Sequence, residues 1–525
     1  MTDAAASSAP PAAVEGAAGS GTSYGQILKS TAMIGASSLV NVAFSILRMK
    51  AIAVLLGPGG VGLMSLYTSM ADLAQTLAGL GIQASGVRQI AEAAGTGEQG
   101  RIARTATALK RVSLALGLGG ALLLAVLALP LSTLTFGDGS HAGAIVLLSA
   151  VVFFGLVSAG QLALLQGLRR IADLARISML SAMFSAAIAV PLVFVFSEAG
   201  IVPALVLAAA ASLATSWWFS ARIGIAAPPM SAREIGREAG GLLNLGLVFM
   251  ASGFLTVGAA YAIRLIVLRA EGIEAAGFYQ AAWALGGLYA GFILQAMGTD
   301  FYPRLTAAAA DDALTNRLVN EQTHIGILLA GPGLLATLTV APLLMTVFYS
   351  PAFGPAADLL RWLCLGMMLR VVAWPMGFIV LARGAALIFF WTEVAATAVH
   401  VGLAWLLVPR IGPAGAGVAF VGLYLWHTVL IHLVARRLSG FRWTRANLVL
   451  GGVFLPTAGL VFCAFHLLPA WMAAGIGIGV TLASGLYCLK LLLELIPALA
   501  PWRDRLTRKG STPAIPDRDS SARSR

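Results

Sequence analysis

The chain has 525 residues, 59% of them hydrophobic and only 11% charged, with a mean hydropathy of +0.87. A soluble protein carries about 25% charged residues, so the composition excludes a soluble enzyme and reads as an all-α polytopic membrane protein. The net charge of +12 would suit nucleic acid, but the basic residues lie between apolar runs; that is a topology signal, and no nucleic-acid partner is expected.

Residues 1–28 form an expected disordered tail, Ala/Ser/Gly/Pro-rich over 1–23 and without the basic start and apolar run of a cleavable signal peptide. The first apolar hairpin, 31–88, organises the rest of the chain. Its first arm is long enough to span a bilayer, yet carries Arg48 and Lys50 and no acid. It turns at Gly57-Pro58-Gly59-Gly60 and returns with Asp72. A charge at the bilayer centre costs roughly 2.5–3.5 kcal/mol on insertion scales, so two cations in one span point to a polar interior that receives something negative.

At about 20 apolar residues per crossing, further spans lie near 112–136, 143–167, 177–197, 200–221, 241–268, 277–302, 322–349, 355–382, 385–408, 414–435, 447–468 and 470–497. This predicts about fourteen transmembrane helices: a six-helix lobe over 29–225, a second over 226–440, a two-helix extension over 441–500, and a basic disordered tail over 501–525. Twenty-seven of the 34 Lys and Arg residues fall on the side of the even-numbered connections and the termini, against Arg269 and Arg410 in the opposite loops. The positive-inside rule then puts both termini in the cytoplasm. The outward loops, such as GDGSHA and SPAFG, are too short for a domain that does chemistry.

Five basic residues remain inside spans: Arg48, Lys50, Arg264, Arg361 and Arg370. For Lys50 and Arg264 two readings are open, snorkelling to the headgroups from a lipid-facing position or facing a central cavity and holding pyrophosphate. Arg48 is two residues from Lys50, so the two point about 200° apart, and Asp72 at similar depth is the expected partner of Arg48. Asp358 lies three residues before Arg361, a spacing that favours a local pair. That leaves Arg370 as the deep cation of its span, with Glu393 on the next span either pairing with it or carrying a coupling proton.

The in-span histidines His324, His400, His427, His432 and His466 have no metal spacing and read as helix-to-helix contacts. Cys364, Cys463 and Cys488 read as small buried thiols, and Trp217, Trp218, Trp443, Trp471 and Trp502 as interface anchors. No Gly-rich phosphate loop with its Lys is present, so no built-in ATPase and no cofactor are expected.

The run KAIAVLLGPGGVGLMSLY at 50–67 with LAGLGIQASGVRQIAE at 77–92 resembles the opening of Wzx-type O-antigen flippases, nearest among them those of enterobacterial common antigen. GFYQ at 277–280, DFYPRLT at 300–306, FGPAADLLRWLCLGMMLRV at 353–371, ARGAALIFFWTEV at 382–394 and IGPAGAGVA at 411–419 continue the likeness, which covers about residues 25–437. These transporters belong to the multidrug/oligosaccharidyl-lipid/polysaccharide exporter superfamily. The resemblance implies two six-helix lobes around a cationic cavity, alternating access across the bacterial inner membrane, and an undecaprenyl-pyrophosphate-linked oligosaccharide as cargo. As further partners it implies a polysaccharide polymerase and a chain-length regulator. Lys50, Arg264, Arg370 and Glu393 fall where that family also places charges of the same sign, whereas Arg48, Asp72 and Arg361 do not. The last two spans exceed the twelve of the nearest likeness. Two other functions compete with this one: a cation-coupled multidrug exporter, whose drug cations would want an acidic cavity, and a membrane-embedded polymerase or ligase, for which the outward loops leave little room.

Overall fold

The bilayer core offers no water to a backbone N–H or C=O, so a spanning segment must pair these groups within itself. In the computed structural model, which describes residues 20–225 and 228–495 without the side chains of 20–36, 248, 292 and 295–300, all regular structure among the described residues is helical. Residues 1–19, the tail beyond 501 and Trp502 lie outside the described residues.

The helices in order are α1 (Ser20–Gly79), α2 (Ile82–Gly95), α3 (Gln99–Val126), α4 (Ala128–Phe136), α5 (Ala142–Gly167), α6 (Ile171–Phe196), α7 (Ile201–Ala221) and α8 (Ala232–Glu271). Then come α9 (Ile273–Ala307), α10 (Asp312–Thr339), α11 (Ala341–Phe348), α12 (Ala356–Ala382), α13 (Ala386–Ile411), α14 (Ala414–Ser439), α15 (Arg445–Leu467) and α16 (Ala470–Leu495). Among the described residues ten stretches are long and apolar enough to cross a membrane, or up to eleven with the bent pair α10–α11. Two of these, Ser37–Gly79 with 43 residues and Ile171–Ala221 with 51, exceed twice the ~20 residues of one crossing. Each is broken, the first at Gly57 (φ 65°, ψ −163°) and the second by a 3-10 turn at Ser197–Gly200.

Several boundaries depart from expectation. α1 extends back to Ser20, so residues 20–28 are helical rather than irregular; after Pro11 no proline interrupts them. The second span ends at Gly79, because Leu80 and Gly81 both adopt left-handed φ and start α2 in a new direction. The third span stops at Val126, where Pro130 has no N–H to give its carbonyl. α10 and α11 meet at 79°, with Pro342 in the first turn of α11.

The helices gather into two compact units. Unit 1 runs to Leu56 and resumes from Met64 to Tyr261; unit 2 takes Gly57–Leu63 and the chain from Ala262 onward. The division between these compact units falls inside α8, and the turn of the first hairpin belongs with the second unit. There Gly62 and Gly277 pack backbone to backbone: a Cβ on Gly277 would stand 1.9 Å from the Pro58 carbonyl oxygen.

In unit 1, α1 and α6 lie side by side in a parallel register. Asn41 donates to Ser178 Oγ at 2.8 Å, and seven residues on in both helices Arg48 Nη1 donates to Ser185 Oγ. Tyr67 bonds His141 at 2.8 Å, and Thr135 bonds Tyr261 at 2.7 Å. In unit 2, α15 is fastened to α10 by Asn447, which gives its amide to the Asn320 carbonyl and side-chain oxygens and meets His324 at 2.9 Å. His324 is thus a helix-to-helix contact, as its isolation in the sequence suggested.

One minor reading is corrected. Cys364 and Cys488 are buried, but Cys463 is exposed, because α15 turns that face outward. Trp443 is half-buried, packed between Phe441 and His432 at the edge of a core cluster.

Candidate functional site

Unit 1 contains a cavity of about 680 Å³ walled by the end of α1, α2, α5 and α8. Its polar lining comes from Asp72, Gln75, Thr76, Gln83 and Gln166, with Phe249, Met250 and Val257 opposite. The walls are fixed by close backbone approach. A Cβ on Gly246 would sit 2.2 Å from the Leu80 carbonyl oxygen, and one on Gly81 would sit 2.0 Å from that of Gly246. Gln75 lies in the space left by Gly155 of α5, where a Cβ would come within 2.2 Å of its Oε1. One carboxylate, three primary amides and a hydroxyl offer donors and acceptors together with a single negative charge. That set suits a neutral, polyhydroxylated group better than an anion. Of these residues the sequence pointed only to Asp72; Gln75, Gln83 and Gln166 are scattered over three helices and carry no charge to mark them.

Asp72 does not pair with Arg48. Met64 and Arg48 line the same small crevice, so Met64 is the residue of the returning arm that stands level with Arg48. Asp72, eight residues beyond Met64, is about 12 Å further along the helix. The guanidinium of Arg48 packs among Ile52, Ala189 and Val193 and bonds Ser185, with its Nε unpartnered. Lys50, half-buried, lies on the other side of α1 from that contact.

In unit 2, Arg264 is 9% exposed and gives Nε and Nη2 to Gln280 Oε1 of α9 at 3.1 and 2.8 Å. It does not snorkel. Arg361 pairs with Asp358 at 2.5 Å, as its spacing predicted, and also lies 3.9 Å over the Phe465 ring. Arg370 is half-buried, 6.0 Å from the centre of the Tyr424 ring. Glu393 makes no ion pair with Arg370 among the described residues. Among the described residues neither Arg370 nor Glu393 is spent on a tight local bridge. Among the described residues no three His, Cys, Asp or Glu side chains come together as a metal site.

A polar pocket, buried cations and spans without loops describe a channel or carrier, and likeness to known chains narrows the choice. The profile of the family described as polysaccharide biosynthesis protein matches residues 27–308, more than half of the chain. The chain belongs to that family. This polysaccharide biosynthesis protein is 25% identical over 421 residues to the lipid III flippase of Escherichia coli (strain K12), covering 76% of this chain and 95% of the relative. The lipid III flippase of Shigella flexneri matches to the same extent. In fold it is similar to lipid II flippase MurJ in an inward closed conformation, with TM-score 0.68 at 11% identity over 89% of this chain and 99% of the other. It also resembles an inward-facing multidrug resistance MATE family transporter of the MOP superfamily, with TM-score 0.63 at 16% identity, covering 76% and 95%. At those identities the two structures speak for the fold alone.

Proposed function

We propose that this polysaccharide biosynthesis protein is a flippase. Its cargo is an undecaprenyl-pyrophosphate-linked oligosaccharide, carried from the cytoplasmic to the periplasmic leaflet of the bacterial inner membrane by alternating access. It is a transporter and not an enzyme. The observation that carries the reading is the match to lipid III flippases along 95% of their length. The in-span charge balance supports it over export of drug cations, since Arg48, Lys50, Arg264, Arg361 and Arg370 outnumber Asp72, Asp300 and Glu393.

In this reading Lys50, Arg264 and Arg370 recognise the pyrophosphate, whose charge suits an ammonium and guanidinium forks. Arg48 serves mainly to hold α1 on α6. The unit-1 cavity, with Asp72 and the three glutamines, receives sugar hydroxyls, and Glu393 titrates during the cycle. Counting each broken stretch as two crossings and α9 and α10–α11 as one each gives fourteen crossings, with both termini cytoplasmic. A polymerase and a chain-length regulator act next on the cargo.

Surface polysaccharide is measured in a strain lacking the native gene and complemented at matched protein levels. Lys50→Ala, Arg264→Ala and Arg370→Ala each remove a charge-assisted contact worth about 1.5–3 kcal/mol, so export falls by about one to two orders of magnitude. Lys50→Arg keeps part of it. Normal export by all three alanine variants overturns the cationic recognition of cargo.

A further inference from the structure

Outside the cargo cavity, unit 1 carries a second polar crevice of about 180 Å³ formed by α3, α5 and α7. It is lined by Thr107, Lys110, Gly160, Gln161, Trp217 and Ser220 among others. Its chemistry is that of an anion receptor. Lys110 is exposed and makes no ion pair among the described residues. Gln161 has its Oε1 bonded by Ser216 Oγ at 2.6 Å, which leaves its N–H groups as the donors on offer. No acidic side chain lines the crevice.

Its position faces lipid. Leu114, Leu118 and Leu122 of α3 are exposed along one i, i+4 row, and Lys110 is the next residue of that row towards the charged end of the helix. Trp217, 56% exposed, lines the crevice, and its neighbour Trp218 carries Arg222 3.4 Å over its ring. An exposed Trp beside cations at the end of an apolar row marks the membrane–water boundary. Arg104 and Arg111 of α3 and Arg222 after α7 add positive charge at this end of the two helices.

We propose that this crevice binds the phosphate headgroup of an anionic phospholipid of the surrounding leaflet. Lys110 and the Gln161 amide hold the phosphate, and Trp217 seats the glycerol backbone. Basic pockets at helix junctions near the cytoplasmic surface recognise headgroups in this way, a cation in contact with the phosphate contributing about fivefold in affinity. The site is separate from the cargo cavity and does not depend on what the protein transports.

The test uses the full-length protein purified in a neutral detergent and titrated with phosphatidylglycerol, phosphatidylethanolamine or inorganic phosphate, with native mass spectrometry counting retained lipids. Phosphatidylglycerol is retained in preference to phosphatidylethanolamine, and Lys110→Gln weakens that retention by about fivefold. Arg101→Gln, an exposed charge on the same helix outside the crevice, changes it by less than about twofold, within the reach of salt screening. Equal retention of the two lipids overturns the proposal, as does equal loss in Lys110→Gln and Arg101→Gln. Inorganic phosphate displacing the lipid at equal concentration overturns the assignment to a membrane lipid.

Discussion

Arg264 of α8 and Gln280 of α9 meet through two guanidinium N–H groups on one amide oxygen, at 3.1 and 2.8 Å. A buried guanidinium needs oxygen acceptors to offset the loss of water, and Gln280 adjoins the buried Tyr279 on α9. The contact fixes the height of this cation in unit 2. Gln280→Leu withdraws an acceptor from a charged donor and costs about 1.5–3 kcal/mol, read as a lower melting temperature in detergent. Gln280→Glu keeps an acceptor in place and melts close to the parent. Equal melting of the Leu variant and the parent contradicts the clamp.

Asp72 and Arg48 belong to different surroundings, so their variants separate. Ser185→Val removes the acceptor that Arg48 uses on α6 and lowers stability by about 1–3 kcal/mol. Asp72→Asn leaves protein levels unchanged and lowers export, because it alters the cavity wall and not the α1–α6 contact. Immunoblotting of membranes beside a polysaccharide assay distinguishes the two; a matching loss of protein in Asp72→Asn refutes the separation.

Gly246→Ala introduces a methyl group 2.2 Å from the Leu80 carbonyl oxygen. Overpacking of this kind costs about 1–3 kcal/mol, and it separates two walls of the unit-1 cavity. Export and melting temperature fall together. Gly119→Ala, where a Cβ meets nothing within 4 Å, is the control and changes neither.

α8 begins with a capping box. The Ser231 N–H and hydroxyl donate to Glu234 Oε2, and the Glu234 N–H returns a bond to Ser231 Oγ at 3.3 Å. These bonds, the backbone N–H of Ser231 foremost, hold the Glu234 carboxyl below the usual carboxylate range. Because the folded form has the lower pKa, its contribution is complete above the unfolded value, about 4.3, and is lost as pH falls through the folded value. Protection of the amides in the first turn of α8, corrected for intrinsic exchange, therefore falls on acidification below about pH 4, and Glu234→Gln abolishes that pH step. A first turn whose protection ignores acid refutes the box.

Composition alone settled the solvent: with 59% hydrophobic and 11% charged residues, the chain has no stable home but a bilayer, and there only helices satisfy the backbone. Local spacing was equally legible. Asp358 and Arg361 pair because three residues bring them onto one helical face, and Gly57 breaks the first hairpin where the turn residues cluster. What the sequence left open were relations between helices, since hydropathy is blind to which face of an apolar helix meets which neighbour. Arg48 bonds Ser185, distant in sequence, because α1 lies in register with α6, while the pairing with Asp72 fails by about 12 Å of helix rise. Likewise Gln75, Gln83 and Gln166 are uncharged and unremarked in sequence, and only the close approach of α2 to α8 at Gly81 and Gly246 gathers them around one cavity. Charge in an apolar run announces that a polar interior exists; which side chains line it is decided by helix packing, where backbones come near enough to shut out a methyl group.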